Sequence, residues 1–217
     1  MNFCCIDKSV MVSMLTMILN VLMAIVKHVI ENAGAIATLA GVAIAFYGLE
    51  SWKREYRFKR NSELLEEALV LFYQAEHAIA HLRNGFILSS ELQNFEFPPE
   101  LEDGYSKEKY KYTHTIQKRF DEKQHIFDKL YAIELRFRAR FGEGSITTFN
   151  SMKEKVKELL LAANMYSIKN LSKEKISEIQ KIIWKDYNKL SKEGDVFGDA
   201  IDKIVEDFDK LCRQKLR

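Results

Sequence analysis

His77 and His81 stand four residues apart, with Glu76 beside them. On a helix that spacing puts two imidazoles on one face, but a metal site needs at least one or two more protein ligands. No HExxH occurs, and the chain has one Glu-x-x-His, Glu122 to His125. A di-iron bundle needs two such pairs and two further glutamates. The spacing therefore predicts histidines that flank a packing seam. No metal and no cofactor are expected.

Arg119 and His125 make an Arg-x5-His spacing. It resembles the motif of the HEPN ribonucleases, which are also helical bundles. With ten arginines and five histidines in the chain, such a match arises by accident about as often as not. The residues between them include Asp121, Glu122, Lys123 and Gln124, which read as a solvated helix turn. Arg119 and His125 are thus weak catalytic candidates. Arg136, Arg138 and Arg140 form a second basic group, with Arg136 and Arg140 on one face. Those two are weak candidates for a phosphate-rich ligand. The simpler reading has Phe137 and Phe141 packing inward while the arginines meet water or acidic neighbours such as Glu134. No Gly-rich phosphate loop, Ser-His-Asp order or catalytic cysteine context is visible. Cys4, Cys5 and Cys212 show no CxxC or metal spacing, so reduced thiols are expected. Cys212 offers a natural probe of which side of a membrane its segment faces.

The elements that would hold these residues follow from the spread of charge and apolar length. The chain has 217 residues, a net charge of +2, nine glycines and two prolines. So few breakers favour long helices. The charge is uneven: residues 51–60 carry Lys53, Arg54, Arg57, Lys59 and Arg60 against the single Glu55. Just before them, residues 33–49 hold seventeen uncharged positions, the short end of a spanning helix. Residues 9–26 are also uncharged and richer in large apolar side chains.

We take residues 1–50 as a membrane anchor, with 33–49 spanning. Residues 9–30 form a second span or an interfacial helix. Ser13, Thr16, Asn20, Lys27 and Glu31 fall within about 60° of one another at helical period. That stripe fits water in an interfacial helix or a partner helix in a span. A hairpin of two spans would turn at Glu31, Asn32, Ala33 and Gly34. A signal peptide is a third option, and cleavage would still leave the second run as an anchor. The basic cluster places the following chain in the cytoplasm. With Trp52 it forms a membrane interface of Trp52, Lys53, Arg54, Arg57, Lys59 and Arg60, suited to anionic headgroups. Gly34, Ala37, Gly41, Ala45 and Gly48 make a ridge of small residues of the kind that lets helices approach in lipid.

Residues 51–217 read as an antiparallel cytoplasmic bundle of about five helices, making the fold all-α. Leu64, Ala68, Leu71, Ala75, Ala78 and Leu82 form a heptad seam on the first, ended by Asn84 and Gly85. A long connection over 85–108 contains Pro98, Pro99, Asp103 and Gly104, with Phe86, Ile87, Leu88, Phe95 and Phe97 packing in part on the bundle. The second helix spans about 109–141, with Ile116, Phe120, Phe127, Leu130, Phe137 and Phe141 along one face. Ser145 or Thr147 caps a third carrying Phe149, Met152, Val156, Leu159, Ala163 and Tyr166. Ser172 opens a fourth with Ile176, Ile179, Ile183, Tyr187 and Leu190, ended by Gly194. Asp195 caps a fifth with Phe197, Ile201, Ile204, Phe208 and Leu211. No segment alternates with period two, so no sheet is expected.

Residues 66–86 (EEALVLFYQAEHAIAHLRNGF), 136–142 (RFRARFG), 162–164 (AAN) and 211–213 (LCR) resemble a widespread group of uncharacterised bacterial proteins. These have one N-terminal anchor, a junction rich in Trp and Lys or Arg, and a helical cytoplasmic domain. The likeness covers most of residues 45–217. It implies that architecture and a bacterial inner membrane, and it implies no activity. The run at 9–26 exceeds that group's usual N-terminus.

The sequence thus points to a lipid bilayer, an unidentified protein partner and a possible homo-oligomer, with no nucleic acid expected. The first functional reading is a non-enzymatic, membrane-tethered interaction or self-assembly module. The alternatives are a membrane-perturbing effector of a phage-defence or toxin system, and a tethered HEPN-like ribonuclease.

Overall fold

The computed structural model describes residues 8–93, 95–185 and 194–216. It divides into two compact units, Met1–Phe58 and Lys59–Arg217. The described residues form five α-helices and no strand: α1 Lys8–Leu82, α2 Lys107–Phe141, α3 Thr147–Tyr166, α4 Lys173–Ile183 and α5 Val196–Lys215. The all-α expectation holds.

The first unit is the N-terminal part of α1. Every described side chain from residue 9 to residue 58 is exposed. A hairpin of two spans would turn at residues 31–34, and here the helix runs on through them. Local bonds explain the continuity. The Asn32 carboxamide donates back to the His28 carbonyl at 2.8 Å, and Lys27 and Glu31 lie 3.9 Å apart one turn from each other. Thr38 donates to the Gly34 carbonyl at 2.8 Å. No proline interrupts this stretch, and one glycine costs a helix only about 1 kcal/mol.

The second unit packs the rest of α1 with the other four helices. Contacts that descend α1 climb α2: Arg119 bonds the Asn84 carbonyl, Arg136 meets Glu67 and Arg140 meets Asn61. These two helices are therefore antiparallel. α5 also opposes α1, since Asp195 meets Arg83, Phe208 stacks on Phe72, and Cys212 lies 4.0 Å from the Leu65 carbonyl. Thr113 with Ala163, and Phe137 with Phe149, set α3 against α2 in the same way.

All six seam residues, Leu64, Ala68, Leu71, Ala75, Ala78 and Leu82, are buried, joined by Leu65, Phe72 and Ile79. The core centres on four phenylalanines from four helices. Phe72 stacks on Phe208 at 3.9 Å, and Phe149 meets both edge-on at 4.9 and 5.2 Å. Phe137 closes the group at 5.3 Å from Phe149 and 5.5 Å from Phe208. The expected faces of α2 and α3 are inward, with Phe120 and Phe141 at the core's edge. In α5, Val205 and Cys212 join Phe197, Ile201 and Phe208 inside, while Ile204 and Leu211 are partly buried.

Helix ends follow local chemistry. Ser172 and Asp195 accept from the amides of Lys175 and Gly198, as the sequence suggests. Ser106 caps α2 in the same way, and Gly142 ends it at φ 84°. The cap expected for α3 is different. A 3-10 turn over Glu143–Ser145 precedes that helix, and Ser145 donates to the Gly142 carbonyl instead of capping. Ile146 then takes the cap position with no side-chain bond. α4 ends at Ile183, earlier than expected, and Tyr187 and Leu190 lie outside the described residues.

The long connection is held by backbone pairing at one end. The Ser106 amide donates to Ser167 and the Lys169 amide to Gly104, each at 2.8 Å. Phe95 packs on His114 and Phe97 on Tyr110, whereas Phe86 and Leu88 are exposed.

Candidate functional site

Arg119 sits mid-way along α2 and is 3% exposed. Its guanidinium holds the connection that follows α1. Nε and Nη2 donate to the two Glu91 carboxylate oxygens at 2.6 and 2.9 Å. Nη1 donates to the Asn84 carbonyl and Nη2 to the Phe86 carbonyl, both at 2.5 Å. The Arg119 hydrogen bond lowers the Glu91 pKa, more than burial raises it, with help from the Leu88 amide. A planar fork that meets a carboxylate and two carbonyls acts as a clamp. His125 is exposed. Six residues further along the helix it stands about 120° round from Arg119. The structure does not bring these two catalytic candidates together.

Arg136 and Arg140 do lie on one face, as the sequence indicates, and both turn to α1. Arg136 pairs with Glu67 at 2.9 Å between two exposed side chains, and Arg140 donates to the Asn61 carboxamide at 2.5 Å. Arg138 approaches Glu134 at 3.4 Å, and Lys153 also sits on that buried carboxylate. The three arginines thus meet partners within the bundle. A groove of about 620 Å³ beside them is lined by Glu63, Glu66, Glu67, Val70, Lys129 and Arg136 among others. His77 and His81 are exposed. Among the described residues no group of three or more His, Cys, Asp or Glu is placed to hold a metal.

Sequence reasoning missed Arg83. It is 2% exposed at the end of the α1 seam. Nε donates to the Ile182 carbonyl at 2.6 Å, and Nη2 to the Lys181 carbonyl at 3.2 Å. Two further bonds of 2.8 and 2.7 Å reach Asp195, and the guanidinium lies 4.7 Å from the Phe197 ring centre. The available signal was an arginine directly after a seam residue, Leu82, with Asp195 already marked as a cap. Cys212, suggested as a probe, is buried, and burial pushes its thiol pKa up to about 12.

The remaining candidate is the N-terminal part of α1. It is the one described helix long and apolar enough to cross a membrane, by length and composition. Its large apolar side chains are open: Leu15 is 68% exposed, Leu39 71% and Ile44 72%. Gly34, Ala37, Gly41, Ala45 and Gly48 are all exposed, and nothing lies within 4 Å of where a Cβ would stand on the three glycines. Trp52 stacks on Tyr56 at 5.9 Å. Lys53, Arg54, Arg57, Lys59 and Arg60 are exposed. No family model, no curated protein and no solved structure matches this chain.

Proposed function

We propose that the protein is a membrane-tethered, non-enzymatic helical module that assembles with copies of itself or with a protein partner. The observation that carries this reading is the exposure of both uncharged apolar runs of α1, residues 9–26 and 33–49. Water tolerates exposed apolar runs of this length poorly, and monomeric soluble proteins rarely show them. Lipid removes the cost, since a helix satisfies its own backbone there. The basic residues from Lys53 to Arg60 support a cytoplasmic position for the bundle in a bacterial inner membrane. Trp52 and Tyr56 suit the headgroup layer beside them. The glycine ridge supports close helix association.

The Arg119 clamp argues against the tethered ribonuclease, because its guanidinium already meets Glu91, Asn84 and Phe86. The experiment is alkaline extraction of membranes followed by amine cross-linking. We expect retention in the pellet and cross-linked species larger than one chain. A freely soluble monomer overturns the anchor, and a membrane-bound monomer with no co-purifying protein overturns the assembly role.

A second reading rests on the polar stripe of Ser13, Thr16 and Asn20, which fits an effector that perturbs the bilayer. In that case expression depolarises cells, and an unchanged membrane potential under all inducing conditions removes it.

A further inference from the structure

The groove between α1 and α2 in the second unit has walls of opposite charge. Glu63, Glu66 and Glu67 stand on its α1 side, and Lys129 and Arg136 on its α2 side. All five are exposed. The surface between them is apolar. Leu71 and Ile133 are buried beneath it, Val70 is 47% exposed, and Ala132 is also open.

The spacing on both walls is that of a packing seam. Glu63, Glu67, Val70 and Gln74 advance by steps of four and three along α1, and Lys129, Ala132 and Arg136 by three and four along α2. That period lets a helix lie along a neighbour. It is a different face from the buried seam of Leu64, Leu71 and Leu82. One ion pair already spans the groove, Glu67 with Arg136 at 2.9 Å, and both side chains are more than half exposed. Such pairs contribute little, so either member can change partner at small cost. The pair also sets the level of the two antiparallel walls. Three residues on from Glu67, Val70 stands level with Ala132, four residues back from Arg136.

A half-turn about an axis running along the groove, parallel to both helices, keeps every residue at its own level. It sets the α1 wall of one copy on the α2 wall of another. Glu67 then faces the other copy's Arg136, and Val70 faces its Ala132, whose small side chain allows close approach. Each contact occurs twice, as a closed two-fold interface requires. Two copies tethered through the same end of the bundle, at Lys59, run parallel, which is the arrangement that axis produces. A partner carrying charge of one sign meets repulsion from one wall, whereas a second copy complements both.

We infer that this groove is the interface between two copies of the chain, closed by a two-fold axis parallel to α1. The inference rests on the assembly reading above and places the contact in the bundle.

The test mixes two differently tagged full chains in native membranes, both with Cys4 and Cys5 changed to serine and the buried Cys212 left in place. One carries Val70→Cys and the other Ala132→Cys. We expect a short bismaleimide to join them into a band of two chains. Leu161→Cys, on the exposed side of α3, should not join to Ala132→Cys. Adding Glu67→Arg to both chains sets like charges opposite each other twice and should weaken the band about tenfold. Glu67→Arg in one chain with Arg136→Glu in the other makes every facing pair complementary and should restore it. Thermal melts of each variant check that the bundle is folded. Absence of the 70–132 band, an equal band with Leu161→Cys, or a band that ignores the charge reversals overturns the interface. Chains that cross-link through amines yet fail these tests lose only the groove as their contact, whereas chains that stay monomeric under amine cross-linking lose self-assembly as well.

Discussion

Arg83 and Asp195 lie 112 residues apart in the chain and close a two-bond ion pair of 2.8 and 2.7 Å. The pair joins the end of α1 to the start of α5, and the same guanidinium binds carbonyls at the end of α4. Removing one partner of such a pair leaves the other buried and uncompensated, at a cost of about 3–5 kcal/mol. Asp195→Ala should therefore lower the melting temperature of the full chain in detergent sharply. Asp195→Asn, which keeps an acceptor for the Gly198 amide, should cost less. A loss under about 1 kcal/mol for the alanine variant would show that the pair does not hold these three helices together.

The same pair sets the response to acid. Burial raises the Asp195 pKa, but the hydrogen bond from Arg83, the Gly198 amide and nearby positive charge together hold it below its ordinary value. Glu91 is also held low, chiefly by Arg119. A carboxylate depressed in the folded state adds stability above its unfolded pKa, and that contribution is lost as pH falls through the folded value. Stability should thus be level near neutrality and fall below about pH 4. Asp195→Asn combined with Glu91→Gln should flatten that fall in a melting series across pH.

Gly198 stands in the first turn of α5, where alanine ordinarily improves a helix by about 1 kcal/mol. Here the sign reverses. A Cβ at residue 198 would overlap the Asp195 carboxylate, lying 2.8 Å from its Cγ, and would stand 3.3 Å from Arg83 Nη1. Gly198→Ala should destabilise the chain and Gly144→Ala, with nothing within 4 Å, should not. Equal melting temperatures for the two variants would contradict the crowding.

Arg119 separates a clamp from a catalyst. Arg119→Ala should speed amide exchange over residues 85–92 and destabilise the bundle, because Glu91 loses its partner at a buried site. Arg119→Lys should rescue only part, since one ammonium cannot reproduce the fork. His125→Ala, on an exposed turn, should change stability by no more than about 0.5 kcal/mol. A phenotype abolished by His125→Ala in a folded chain would restore the nuclease reading.

Helix order and the inner faces were legible because apolar residues at helical period mark burial directly. The seam from Leu64 to Leu82 and the α3 face from Phe149 to Tyr166 are buried throughout. Gly142, Ser172 and Asp195 were legible as ends because each has one local task. Whether residues 9–26 and 33–49 are joined by a turn was left open by the sequence, since a single glycine beside Asn32 is a weak breaker against helical neighbours on both sides, and the helix runs on there. Ser145 was misjudged because a 3-10 turn used its hydroxyl before the helix began. The two arginine clamps were hidden for a different reason. Arg83 and Arg119 bind carbonyls and carboxylates brought together by tertiary packing, and composition treats every arginine as a surface charge.

Cys212 bears on how the orientation of the bundle is measured. The sequence makes it a convenient reporter, yet the thiol is 3% exposed and lies 4.0 Å from the Leu65 carbonyl in the core. Desolvation, with a smaller part from Asp209, raises its pKa to about 12. Maleimides react with thiolate, and at neutral pH almost none forms at such a site. Cys212 should therefore stay unlabelled on both sides of the membrane, including after detergent opens the cell, and react only when denaturant unfolds the bundle. Lys203 is exposed on α5, so Lys203→Cys supplies the reporter that Cys212 cannot. It should label after cells are opened and stay unlabelled in intact cells. Labelling of Lys203→Cys from outside would reverse the orientation, and rapid labelling of native Cys212 would show that the core is looser than these contacts require.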